Sequence, residues 1–164
     1  HCKDNICILS NSDIYFDNSL SIINNVSLKN KFFGLSRYEH DNYQIGRFAP
    51  YYSQDSWIFK SPLNIDTSRL NFHFGEIGCD GKITYELYKA NFIVSNPCIS
   101  IKTFHVHKTN FRTYKKINQI PKPYVWMFAC KINEQSILKL RTNEKIIDII
   151  NNNKGLKKNL DIIQ

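Results

Sequence analysis

The segment Ile8-Leu9-Ser10-Asn11-Ser12-Asp13-Ile14-Tyr15-Phe16-Asp17 constrains the fold more than any other stretch of the chain. A short apolar run stops abruptly in polar and acidic side chains, and a helix-like pattern follows. A buried strand of an open α/β sheet delivers carboxylates to its ligand-binding rim in this way. Oxygen donors at that rim suit a hard divalent cation, and the cation in turn can hold a diphosphate. Two later features share the chemistry: an acidic turn before a helical pattern, Gly78-Cys79-Asp80, and a paired histidine strand end, His105-Val106-His107. Together they predict a metal-dependent enzyme that handles phosphate.

The 164 residues suffice for one domain with a real core. A hydrophobic content of 42% and an aromatic content of 13% exclude a disordered chain. The longest apolar run, Tyr124 to Cys130, suits a buried strand and is far too short for a transmembrane helix. The chain opens on His1 and enters a strand pattern almost at once, which reads as a piece of a longer protein. Five scattered cysteines without a CxxC pair fit neither a zinc ribbon nor a disulfide framework, so reduced thiols in a cytoplasmic setting are expected. The net charge of +8 is concentrated in Lys108–Lys122 and the last forty residues, and a solvated lysine-rich surface is its plainest explanation.

Along the chain, Ile6–Ser10, Lys31–Ser36, Ser56–Lys60, Phe92–Ser95, Ile99–Phe104 and Tyr124–Cys130 read as strands. Asp17 or Asn18 caps a short helix through about Asn24, and Asp80 is an N-cap candidate for a helix that places Ile83, Leu87 and Ala90 on one face. Arg37–Gln54 and His105–Pro123 read as loops. Gly75 and Gly78 indicate a tight approach of backbone to a ligand or neighbour. Residues 134–153 read as a weakly amphipathic helix. The predicted class is α/β, a mixed sheet flanked by helices.

Each candidate site residue carries a chemical and an ordinary reading. Asp13 would coordinate a divalent metal that neutralises a diphosphate leaving group, with Asn11 on the nucleotide ribose; the same residues equally make a turn after a strand. Asp80, a carboxylate at a helix start, would serve as general base toward an acceptor hydroxyl, or simply cap the helix. One imidazole of His105 and His107 would add a ligand to an Mn²⁺-type ion, and no further His or Cys has the spacing for a zinc site. Asp55 and Trp57 lie at a strand start beneath a loop. Trp57 would stack on a sugar or fill the core, and Asp55 would bind an acceptor or anchor structure.

The order of these motifs is more informative than any one of them. Asn11-x-Asp13 is followed by Leu35-Ser36-Arg37-Tyr38, Ser53-Gln54-Asp55-Ser56-Trp57-Ile58-Phe59-Lys60, Gly78-Cys79-Asp80 with Tyr85-Glu86-Leu87, Asn96-Pro97 and His105-x-His107. Over about residues 5–128 this resembles GT-A-type glycosyltransferases, in particular small family-2-like homologues of bacteria and large viruses. The resemblance implies a partial GT-A, Rossmann-like fold in which residues 1–130 form the C-terminal two-thirds of the domain and 131–164 a helical extension. The nucleotide-holding first third would then lie upstream. It also implies Mn²⁺ or Mg²⁺ as cofactor, a nucleotide-sugar donor, a glycan, lipid or protein acceptor, and no nucleic-acid partner. Asp13 matches the metal-binding Asp, Asn11 replaces the first Asp of an Asp-x-Asp motif, and Asp80 matches the general base of inverting members. His107, or else His105, matches the late metal-binding histidine, and Asp55 and Trp57 fall on the acceptor side.

Two other classes compete. Lys108, Arg112, Lys115, Lys116 and Lys122 with Phe111 and Tyr114 would serve a nucleic-acid-binding module, although the interleaved acidic residues oppose it. A two-metal phosphoesterase would want a second compact carboxylate set, and the sequence has none.

Overall fold

A computed structural model describes residues 3–39, 53–106 and 119–143 and the backbone of 146–149. Among the described residues, three sheets and one α-helix make a mixed α/β arrangement. The largest sheet has four strands in the order β1 (Ile6–Ser10), β5 (Ser56–Lys60), β3 (Lys31–Leu35) and β6 (Ile93–Ser95). Within this sheet only β3 and β6 run parallel. A second sheet joins β2 (Ile14–Phe16), β7 (Thr103–His105) and β4 (Tyr38–Glu39). The third holds β8 (Tyr124–Met127), β9 (Leu138–Arg141) and β10 (Ile146–Ile149).

Strands β3 and β5 are buried on both faces, which is why their sequences run apolar without strict alternation. Successive side chains then feed two cores. Phe32, Trp57 and Val94 face a cluster with Ile83 and Leu87 of α1 (Cys79–Lys89) and with Val125, Met127 and Leu138. Phe33, Leu35 and Ile58 face the other side, where Ile23, Leu28, Cys98 and Ile101 close over them. Ile23 belongs to a 3-10 helix, Asn18–Asn25, which starts where Asp17 accepts a hydrogen bond from the Ser19 N–H at 2.9 Å. Of the two candidates the sequence offers, Asp17 and Asn18, the cap is Asp17. Asn96, fully buried, ties the layers together: its Oδ1 accepts from the Ser36 N–H at 3.1 Å and its Nδ2 donates to the Met127 carbonyl at 3.3 Å.

Two expectations change. The helix expected over 134–153 is two strands where the chain is described, so a helical extension does not begin there. The reason is period: Leu138 and Leu140 alternate with Lys139 and Arg141, and pairing with β8 sets Leu138 beside Met127 and Leu140 beside Val125 in the core. β1 is a strand but not a buried one. Among the described residues it pairs only with β5, at the end of its sheet, and Ile6, Ile8 and Leu9 are each more than 40% exposed. On α1, Glu86 is buried and meets Lys82 Nζ at 3.2 Å. Among the described residues no helix is long and apolar enough to cross a membrane.

Candidate functional site

The β1–β2 turn carries Asn11 and Asp13, and backbone contacts fix it at both ends. The Asn11 N–H donates to the Asp55 carbonyl at 3.0 Å, and the Val106 N–H donates to the Asp13 carbonyl at 3.0 Å. Side chains from four segments then close a ring around the turn. Asn11 Nδ2 donates to Asp55 Oδ1 at 3.0 Å, and Arg37 Nη1 donates to the same oxygen at 2.9 Å. Arg37 Nε lies 3.6 Å from Glu39 Oε1, and Glu39 Oε2 lies 3.6 Å from His105 Nδ1. His105 Nε2 stands 3.0 Å from Asp13 Oδ2, which returns the ring to the turn. Strand pairing sets this up, because His105 is the Cα partner of Ile14 on one side and of Glu39 on the other.

The ring holds three carboxylates against one guanidinium and one imidazole, so it favours an added cation. Burial pushes the Asp55 carboxyl above its ordinary value; the Arg37 charge and hydrogen bond and the His105 charge oppose that, and Asp13 adds to it. Among the described residues, Asp55 Oδ2 and both amide atoms of buried Gln54 find no hydrogen-bond partner. Polar atoms enclosed in this way ordinarily meet an ordered water or ion.

Asp80 lies on the other side of the Gln54–Asp55 segment. Its Oδ2 accepts from the Gln54 N–H at 3.1 Å and its Oδ1 from the Gly81 N–H at 2.9 Å. Burial is the main force on it and raises its pKa to about 6. The two N–H bonds pull it down, and the Asp55 charge pushes it further up. A carboxylate near 6 is well matched to proton abstraction at neutral pH. The helix is capped not by Asp80 but by Gly78, and Asp80 sits in the first turn, where the macrodipole favours its anion.

Gly78 is required at that cap. Its φ is +93°, and a Cβ would lie 2.7 Å from Cζ and Oη of Tyr124. Tyr124 cannot step aside, since its hydroxyl donates to the Ile120 carbonyl. Gly78→Ala is therefore expected to cost at least ~2 kcal/mol, from left-handed strain and overlap together. Urea unfolding of the variant would measure it, and an unchanged midpoint would contradict the packing described.

Asn11, Asp13, Asp55 and His105 thus come together, and Asp80 adjoins them through Gln54. Trp57 does not join them. It is 1% exposed within the first core cluster, so no ring face is open to a sugar and its expected acceptor role is withdrawn. Asp55 is 6% exposed, and its hydrogen-bonded oxygen is committed to Asn11 and Arg37, which makes it an anchor. His107 and the basic residues Lys108, Arg112, Lys115 and Lys116 lie outside the described residues. Arg37 and Glu39 were not singled out from the sequence. The signal lay in the pairing of β4, which holds Glu39 and follows Arg37, with β7, and no local pattern displays it.

Among the described residues no group of three or more His, Cys, Asp or Glu side chains is placed to hold a metal ion. One carboxylate beside one imidazole is nonetheless a donor set that fits Mn²⁺ or Mg²⁺ completed by water and phosphate oxygens. The Asp13 side chain is 40% exposed and open to such a ligand. No family model, curated protein or solved structure matches the chain.

Proposed function

We propose that the chain is the acceptor-side and metal-side part of a glycosyltransferase that moves a sugar from a nucleotide-sugar to an acceptor hydroxyl with inversion. The observation that carries the reading is the closed ring joining Asp13 to His105, with the Asp80 carboxylate held beside it on the Gln54–Asp55 segment. The order of motifs from Asn11 to His105 supports it independently.

In this reading Asp13 and His105 hold Mn²⁺ or Mg²⁺. Bound there, the ion supplies Lewis-acid stabilisation of a departing diphosphate. Asn11, whose Nδ2 is held by Asp55, fixes the turn that presents Asp13 and leaves its carbonyl oxygen for the ribose. Asp80 takes the proton from the acceptor hydroxyl as that oxygen forms its bond to the anomeric carbon. Asp55 and Arg37 hold the two halves of the site in register, a contribution through positioning.

The test is nucleoside diphosphate release from a panel of nucleotide-sugars, with acceptors, using wild type, Asp13→Ala and Asp80→Asn. Asp13→Ala is expected to abolish the metal-dependent rate, a loss of more than ~10²-fold. Full metal-dependent activity in both variants would contradict the assignment.

A further inference from the structure

We infer that the outer edge of β1 pairs with the same edge of a second copy of this chain, joining two sheets across a twofold axis, whether or not the chain transfers a sugar. The ends of β1 fix its hydrogen-bond phase. The Ser61 N–H donates to the Asn5 carbonyl at 2.9 Å, and the Asn11 N–H donates to the Asp55 carbonyl at 3.0 Å. Hydrogen-bonded residues alternate along an antiparallel ladder. The odd-numbered residues of β1 therefore bond β5, and Ile6, Ile8 and Ser10 turn their N–H and C=O groups outward. Among the described residues no strand lies on that side.

Natural sheets guard such an edge with lysine, proline or a bulge. β1 carries no charge and no proline, and its register with β5 is unbroken from Ile6 to Ser10. Ile6, Ile8 and Leu9 are 45%, 42% and 41% exposed. What fits this edge is the edge itself. An antiparallel pair centred on Ile8 sets Ile8 opposite Ile8, Ile6 opposite Ser10, and Cys7 opposite Leu9. The outward groups of Ile6, Ile8 and Ser10 then fall in hydrogen-bonded positions. No like charges meet, and apolar pairs form on both faces.

The charges at the strand ends favour the same partner. Counted on from Ile8, Lys3 of one copy comes to the Asp13 end of the other, and Asp4 comes opposite the uncharged Ser12. Asp13 belongs to the ring in which three carboxylates meet one guanidinium and one imidazole. The lysine of a second copy thus brings charge of the sign that this ring lacks. Twofold pairing makes the contact at both ends.

Sedimentation equilibrium of the full chain from about 10 µM to 1 mM tests the pairing, the range set for a small, weak interface. Amide hydrogen exchange is followed at the two ends of that range. The expected result is a mass rising toward twice the monomer, with exchange slowed at Ile6, Ile8 and Ser10. Ile8→Lys and Ile8→Glu each set like charges face to face at the axis and should stay monomeric. Mixed one to one, the two variants should pair again, which misfolded chains would not do. A wild type that stays monomeric at 1 mM would overturn the inference, even if another protein proved to bind the edge. A dimer that Ile8→Lys leaves intact would overturn it too, as would a mixture that fails to pair while both variants keep the wild-type amide spectrum.

Discussion

Asp80→Asn is expected to lower transfer activity by about 10²–10⁴-fold, the range a positioned general base contributes. Asn keeps the size of the side chain and one acceptor for the N–H groups of Gln54 and Gly81, but it cannot take a proton. With the carboxyl raised to about 6 by burial, kcat/KM of the wild type should climb through about pH 6 and level off above it. The residual rate of the variant should lack that inflection. The same shift acts on stability with a definite sign. A carboxyl whose folded value lies above its ordinary 3.8 contributes stability below 3.8 and loses it as pH rises through about 6. Relative to Asp80→Asn, the wild type should therefore lose up to about 3 kcal/mol over that interval. Urea unfolding of both proteins across it checks this. A pH-independent difference would show that Asp80 is not held in the environment described.

Trp57→Ala is expected to cost about 3–5 kcal/mol of stability. Trp57 shares one buried cluster with Phe32, Ile83, Leu87, Val94, Val125, Met127 and Leu138, which come from β3, α1, β6, β8 and β9. Deleting the indole opens a cavity that several elements border, so none can collapse into it alone. A domain of this size has about 5–15 kcal/mol in total, and the variant should be largely unfolded at mild temperatures. Trp57→Phe should lose less. An acceptor-stacking role makes the opposite demand: unchanged stability and a raised acceptor KM. Denaturant midpoints for the three proteins distinguish the two outcomes.

The sequence was most legible where a residue acts through its neighbours in the chain. The Asp17 cap needs only Ser19 two residues on, and the strand runs 31–35 and 56–60 follow from uninterrupted apolar character. The Gly78 turn was visible as a requirement for close approach, although its partner, Tyr124, was not. Legibility failed where tertiary pairing decides. Leu138-Lys139-Leu140-Arg141 alternates over only four residues, too short a run to decide against a helix until β8 offers Met127 and Val125 as partners. The candidate site shows the same limit. Asn11, Asp13, Asp55, Asp80 and His105 could be chosen by residue type and position in a motif. Arg37 and Glu39 connect them only once β4 lies beside β7.

The central claim is that Asp13 and His105 together receive a metal-held diphosphate. Substoichiometric Mn²⁺ added to the ¹⁵N-labelled chain, with and without a nucleoside diphosphate, tests it directly, because paramagnetic broadening maps distance from the ion. The account predicts broadening centred on Asn11–Ile14 and His105–Val106, strengthened by the diphosphate and lost in Asp13→Ala. Broadening centred elsewhere, or unchanged in Asp13→Ala, would contradict it.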